Sequence, residues 1–148
     1  MNLFGMFQIS ASALAAERVR AEVATSNLAN AETTRTPEGG PYQRRMVVFN
    51  SQPQSQFHLL LANNMASGSL QPTGGVRVGD VVADPTPPLR RYEPGHPDAD
   101  GDGYVAYPNI NPVEEMVDLM GAERSYELNA SAVQAAKQMI QQSLQILK

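Results

Sequence analysis

A run of alternating carboxylates is the part of this sequence with the most recognisable chemistry. Asp98, Asp100 and Asp102 are each separated by one residue, and Gly103 follows the last of them. That order matches the first half of an EF-hand-type calcium loop, in which carboxylate oxygens surround the ion and glycine permits a sharp turn. The twelfth loop position, however, is Asn109 instead of glutamate, and nearby prolines disfavour flanking helices. An Asp- and Gly-rich β-turn accounts for the same residues, so calcium binding is retained only as the alternative hypothesis.

Catalytic chemistry has little support in the sequence. The only histidines, His58 and His96, do not form a pair at metal-ligand spacing, and there is no cysteine. No serine lies in a G-x-S-x-G elbow, and no glycine-rich loop opens a helix to hold phosphate. We therefore expect a protein without catalytic residues or a cofactor, and not an enzyme.

Two asparagines near the end of an Ala-rich segment are the other polar residues of interest. On a helix, Asn27 and Asn30 are neighbours, and Asn27 continues the apolar stripe four residues after Val23. An amide within a packing stripe weakens association but can fix the register, because an unpaired buried amide is costly. For Asn30 alone, the favoured interpretation is that the helix frays into a turn.

Length and composition limit the possible classes of protein. The chain has 148 residues, enough for one domain with a moderate core, and a formal net charge of -4. Its arginines are dispersed between acids, so nucleic acid is not an expected partner. No apolar run has the length of a membrane span, and the first residues lack the features of a cleavable secretory signal. These patterns predict neither membrane insertion nor a cleaved signal peptide.

The stretch 111–148 is predicted to form one long helix. Asn111 suits the N-cap, Pro112 the first helical position, and Glu114 the capping-box position three residues after the cap. Its apolar residues recur at heptad spacing and on the flanking rows, which predicts a coiled-coil-like seam made of Leu119, Tyr126, Val133, Ile140 and Leu147, with Met116, Ala122, Ala130, Ala136 and Leu144.

A second stripe of that helix carries uncharged amides at helical spacing: Gln134, Gln138, Gln141 and Gln145. Such a row is either a solvated face or a surface that hydrogen-bonds another subunit. The spacing of the four glutamines leaves both interpretations open.

The remaining segments predict an α+β fold. An Ala-rich helix over 9–31 should pack thinly on the C-terminal helix as a coiled-coil-like pair. Short strands are expected at 43–50, 76–82, 89–92 and 104–107, with a bulge or bend at Gly79 and Asp80. The stretch 57–65 is ambiguous. We therefore divide the chain into an N-terminal helix (1–31), a β-rich insert (32–110) and a C-terminal helix (111–148).

Two long stretches carry a specific resemblance. The sequences SNLANAETTRTPEGGPYQRRMVVF and YEPGHPDADGDGYVAYPNINPVEEMVDLMGAERSYELNASAVQAAKQM resemble the flagellar rod and hook axial proteins, and within them the bacterial flagellar basal-body rod protein C family. The likeness covers about 9–49 and 89–147, and 52–82 carries little that matches.

The resemblance implies a structural subunit of the proximal rod of the flagellar basal body, a part of the bacterial motility apparatus. Such subunits cross the periplasm, are exported by the flagellar type III apparatus without a cleaved signal, and assemble helically through terminal helices that are poorly ordered before assembly. The implied partners are copies of the chain itself, other rod proteins, the hook-basal protein and the MS ring.

The resemblance also implies assembly contacts at Asn27, Asn30, Glu115, Met116, Arg124, Tyr126 and Asn129. Of these, Met116 and Tyr126 belong to the predicted seam on spacing alone, whereas Glu115, Arg124 and Asn129 rest on the resemblance. The glutamine stripe adds Gln138 and Gln141 as expected neighbour contacts.

Overall fold

The structure, a computed structural model, describes residues 3–52 and 74–146. Helix α1 spans Leu3–Ala29 and helix α2 spans Pro112–Ile146, and between them lie strands β1 (Arg45–Ser51), β2 (Val76–Ala83), β3 (Leu89–Tyr92) and β4 (Tyr104–Tyr107). This confirms the α+β class, with two long terminal helices around a small β-rich insert. The ambiguous stretch 57–65 and Leu147 of the predicted seam lie outside the described residues.

The predicted cap begins α2. Asn111 Oδ1 accepts a hydrogen bond from the Val113 N–H at 3.1 Å, and the Asn111 carbonyl oxygen accepts one from the Glu115 N–H at 3.2 Å. The Asn111 amide also donates to Glu114 Oε1 at 3.2 Å. The bonds from Val113 and Glu115 satisfy backbone N–H groups at the start of the helix, where such groups otherwise lack partners. Pro112 has no backbone N–H and therefore needs no acceptor.

Helix α1 begins earlier than predicted and ends close to where predicted. It starts at Leu3 instead of Ile9, because Met6 and Phe7 are half-buried and extend its packed side. After Ala29 the chain enters a turn, in which the Asn30 N–H donates to the Ser26 carbonyl oxygen at 3.1 Å. The interpretation of Asn30 as the point where the helix frays is confirmed.

Strands β1 and β2 form an antiparallel ribbon that lies against α1. The register shifts where Val48 faces Asp80 and Phe49 faces Val78, which leaves Gly79 as an extra residue. A side chain at Gly79 would collide with Asn50 on β1. The predicted irregularity at this point is therefore a β-bulge, at a position where glycine permits close approach of the partner strand.

Strands β3 and β4 pair antiparallel over the two predicted segments, with Leu89 opposite Tyr107 and Tyr92 opposite Tyr104. The connection between them contains the alternating carboxylates and ends at Gly103, whose φ of 79° lies in the left-handed region. This hairpin is the second two-stranded sheet of the described chain.

The two helices run antiparallel and pack through small side chains. Arg20 of α1 contacts Asp118 of α2, and Asn27, further along α1, contacts Glu115, which is earlier in α2. The buried residues between the helices are mostly alanines, namely Ala16, Ala24, Ala122 and Ala136. Small side chains bring helix axes close but bury little area each, so the predicted close and thin packing is confirmed. Over residues 3–52 and 74–146, neither helix has the length and apolar composition needed to cross a membrane.

The face that α2 turns toward α1 corrects part of the predicted seam. Glu115, which heptad counting left outside the seam, is 2% exposed, whereas Met116 and Tyr126 are 49% and 45% exposed. Leu144, also expected in the seam, is exposed. Counting heptads places a seam where large apolar residues recur, but the contact with α1 follows the alanines, so the packed face is rotated away from those three side chains.

Candidate functional site

A buried polar cluster joins both helices to the first strand, and Asn27 lies at its centre with 1% exposure. The Asn27 amide nitrogen donates to Glu115 Oε2 at 3.0 Å and to the Arg45 carbonyl oxygen at 2.8 Å. Its oxygen accepts from the Arg45 N–H at 2.9 Å and from the Tyr42 hydroxyl at 3.1 Å. Both donor hydrogens and both lone pairs of the amide are therefore used.

Glu115 brings a negative charge into this cluster, and Arg44 balances it. Arg44 Nε donates to Glu115 Oε1 at 2.6 Å, and Arg44 Nη1 lies 3.8 Å from Asp84 Oδ2. The hydrogen bond to Glu115 raises the pKa of the Arg44 guanidinium, although burial opposes this. A buried carboxylate is tolerated when it is paired and hydrogen-bonded, and removal of its partner is costly.

Asp84, just beyond β2, extends the cluster to the second strand of the ribbon. Hydrogen bonds from the hydroxyl and the N–H of Thr86, and then the charge of Arg44, hold the pKa of Asp84 below its usual range. We name the set Asn27, Tyr42, Arg44, Asp84 and Glu115 the interhelix latch. It connects α1, α2 and, at one end of the ribbon, both β1 and β2, through side chains that have partners within the same chain.

An open groove of about 370 Å³ lies beside the latch, between α1, β1 and the start of α2. Within it, Arg20 Nη2 donates to Asp118 Oδ1 at 2.6 Å, a second ion pair between the two helices. Arg20 and Arg44 are thus paired with the two carboxylates that line the groove, whereas the guanidinium of Arg45 lies over the Tyr42 ring, 5.9 Å from its centroid. The polar side chains of this site therefore hold α1, α2 and the β1–β2 ribbon together.

The structure does not support the alternative calcium site, because two of the alternating carboxylates have other partners. Asp98 accepts from the Thr34 hydroxyl at 2.8 Å and lies 3.7 Å from Arg35 Nη1. Asp100 Oδ1 accepts from the backbone N–H groups of Asp102 and Tyr104 at 3.1 and 2.8 Å. Among the described residues there is no group of three or more acidic or histidine side chains arranged to hold a metal ion. The hydrogen bonds are those of a β-turn, and Asp98 ties this turn to the segment after α1.

The other expected contact residues lie in two kinds of environment. Asn30 and Asn129 each donate to a carbonyl oxygen one turn earlier in the chain, at Ser26 and Ser125, both at 2.9 Å. In contrast, the side chains of five further residues are exposed, namely Met116, Arg124, Tyr126, Gln138 and Gln141. The structure therefore brings Asn27 and Glu115 together and leaves the rest apart.

Sequence reasoning missed Arg44, Tyr42 and Asp84. The position of Glu115 indicates that it needs a cationic partner. Glu115 is one heptad before Ala122 on the packed face, and a carboxylate buried there requires a cation. Which arginine supplies that cation depends on the path of the chain after α1. No local pattern encodes that path.

Comparisons with known proteins point to one family along the whole chain. A family profile described as flagella basal body rod protein matches residues 7–35, and one described as the C-terminal region of flagellar basal body rod FlgEFG protein matches 102–146. The flagellar basal-body rod protein FlgC of Bacillus subtilis is 43% identical over 152 residues, covering 100% of both chains. Its counterpart in Borreliella burgdorferi is 37% identical over 154 residues, covering 100% of this chain and 99% of the relative. FlgC of Escherichia coli O6:H1 is 42% identical, with 97% of each chain covered.

Proposed function

We propose a function from one premise: the chain belongs to the family of FlgC flagellar basal-body rod proteins. It acts as a structural subunit of the rod of a bacterial flagellum, and its role is mechanical, not catalytic. The observation that carries this proposal is the full-length likeness to rod proteins, with the two family profiles lying on the two helices that the latch holds together.

The position within the rod is a finer part of the proposal. The chain is a subunit of the proximal rod, exported by the flagellar type III apparatus without a cleaved signal, and it contacts copies of itself, other rod proteins, the hook-basal protein and the MS ring. The resemblance of the SNLANA segment and of the segment after Asn111 to rod and hook axial proteins supports this assignment. Helical assembly is supported by the two long terminal helices, whose mutual packing leaves large side chains exposed.

The expected assembly contacts divide into two roles. Met116, Arg124, Tyr126, Gln138 and Gln141 contact neighbouring subunits directly, which their exposure supports. Asn27 and Glu115 act within the chain, because their polar atoms already have partners there. Asn30 and Asn129 likewise bond within their own segments. These four residues support assembly by fixing the shape that the chain presents.

Deletion of the gene in its host tests the proposed function. We expect cells without flagella, whose envelopes contain MS rings but no rods, and full recovery of motility when the wild-type gene is supplied in trans. Mass spectrometry of basal bodies purified from the recovered cells should detect the chain. Normal flagella in the deletion strain, or basal bodies that lack the chain, would contradict the proposal.

A further inference from the structure

The side of α2 that faces away from α1 carries a row of exposed apolar residues with one arginine among them. We name it the outer stripe, and it consists of Val113, Val117, Met120, Arg124, Leu128 and Met139. Val113, Val117, Met120 and Leu128 are between 58% and 67% exposed. Arg124 is one helical turn from both Met120 and Leu128, and among the described residues no carboxylate oxygen lies within 4.0 Å of it.

A groove on another side of the helix pair has the opposite character. It has a volume of about 670 Å³, and we name it the acidic groove. Its floor is formed by Ala21, Ala122 and Tyr126, and its rim by charged residues, namely Glu17, Arg18, Glu123 and Glu127. Its volume leaves room for side chains the size of leucine or methionine.

The rim of the acidic groove retains unbalanced negative charge. Arg18, its only cation, donates to Glu22 at 2.9 Å and is therefore engaged outside the rim. Glu17 Oε2 is buried without a hydrogen-bond partner, and its closest cationic nitrogen, Arg20 Nη1, is 3.7 Å away. Within the described chain, Glu123 and Glu127 have no cation within 4.0 Å. A buried carboxylate oxygen without a donor favours an incoming cation.

The outer stripe and the acidic groove are complementary in shape and charge, and they cannot meet within one molecule. On a helix of about 3.6 residues per turn, Met120 and Leu128 lie on roughly the opposite side of α2 from Ala122 and Tyr126. A contact between them therefore joins two different patches of two chains. Such a head-to-tail contact repeats without closing and generates an open helical array.

We propose that the outer stripe of one copy of this chain docks into the acidic groove of a second copy. Met120 and Leu128 enter the groove on either side of Arg124, which pairs with Glu17 and the rim carboxylates. A second copy is the favoured occupant because this chain carries both patches and they are opposite in charge. Among the described residues, Arg124 has no carboxylate within 4.0 Å, and Glu123 and Glu127 have no cation within that distance. The proposal rests on the proposed function, since it identifies which surfaces make the subunit contact.

Disulfide cross-linking in living cells tests the contact directly, because the chain has no native cysteine. The variant Leu128→Cys/Ala21→Cys has one thiol on the stripe and one in the groove, too far apart in one chain to bond. After mild oxidation of motile cells, we expect a ladder of covalently linked chains in purified basal bodies. Each single-cysteine variant should give no ladder. Motile cells whose double variant forms no ladder would overturn the docking proposal while leaving the rod function intact.

Charge reversal supplies the second measurement. Arg124→Glu should reduce the amount of chain recovered in basal bodies roughly tenfold, because it places like charges across the contact. Adding Glu17→Arg to that variant should restore recovery, and Arg90→Glu, a reversal on the exposed strand β3, should have no effect. Circular dichroism of each purified chain checks that the helices form. Equal losses for Arg124→Glu and Arg90→Glu, or no rescue in the double variant, would contradict the proposed pairing.

Discussion

At the scale of single residues, Asn27 determines how the first helix is attached to the rest of the chain. Its amide binds Glu115 on α2 and both backbone groups of Arg45 at the start of β1. Aspartate at this position has no N–H to donate to Glu115 and would add a second negative charge beside it. Leucine would leave three polar groups buried without partners. Only an amide of this length serves both sides of the cluster.

Replacement of Asn27 by alanine should lower the free energy of unfolding by about 2–4 kcal/mol, because Glu115 Oε2 and both Arg45 backbone groups lose their partner. Urea denaturation followed by circular dichroism measures this change. Asn30→Ala is the matched control, since the Asn30 amide bonds only within its own segment, and it should cost about 1 kcal/mol or less. Equal losses in the two variants would show that the latch contributes no special stability.

At the scale of elements, α2 presents different chemistry on different sides. One side packs on α1 through Ala122 and Ala136, and the opposite side carries the outer stripe. Between them the glutamine stripe is exposed over Gln134, Gln138, Gln141 and Gln145. Exposed apolar side chains on one side and exposed amides on another give α2 two different surfaces, and we expect each to contact a neighbour.

The variant Gln138→Glu/Gln141→Glu should impair rod assembly while the isolated chain stays soluble and helical. The added charges replace neutral amides at the proposed subunit contact, where two desolvated carboxylates without partners would be costly. The measurement is the amount of chain in purified basal bodies, with circular dichroism as the check on helix content. Gln43→Glu, which charges an exposed glutamine ahead of β1, is the control. Unchanged assembly in the double variant would identify the glutamine stripe as a solvated face.

At the scale of the whole molecule, stability is distributed unevenly. The latch and the β1–β2 ribbon hold the ends of the helices that are close to Asn27 and Glu115. Away from this point the helices contact each other through alanines, and burial of so little area stabilises weakly. We expect such helices to gain further stabilisation when neighbouring subunits cover their exposed sides.

Hydrogen exchange of the isolated chain should therefore show fewer protected amides in 1–31 and 111–148 than in the strands of the insert. Local opening is easiest where few apolar contacts resist it. Mass spectrometry of the isolated chain, compared with chain exchanged in purified basal bodies, measures the difference. Protection of both helices should rise on assembly. Uniformly strong protection of both helices in the isolated chain would contradict folding coupled to assembly.

Features that depend on local signals were predictable from the sequence. The cap at Asn111, the bulge at Gly79, the β3 and β4 segments and the turn at Asn30 each follow from the residue types at those positions. The burial of the Asn27 amide was also predictable, because this residue interrupts an apolar stripe; its role in fixing the register stays a prediction. The burial of Glu115 was not predictable, since a count of apolar side chains leaves out a carboxylate even where it shares a heptad row with Ala122 and Ala136.

The sequence by itself determined which of the described segments are helices and strands, where α2 begins, and to which family the chain belongs. These properties reside in caps, turn residues, periodicity and long motifs, all of which act over a few neighbouring residues. Only the tertiary structure decided which side of α2 meets α1, and that Arg44 and Tyr42 complete the latch with Asn27 and Glu115. The physical reason is that small residues set the helix contact through close approach, and that the partner of a buried charge is chosen by the chain path between distant segments.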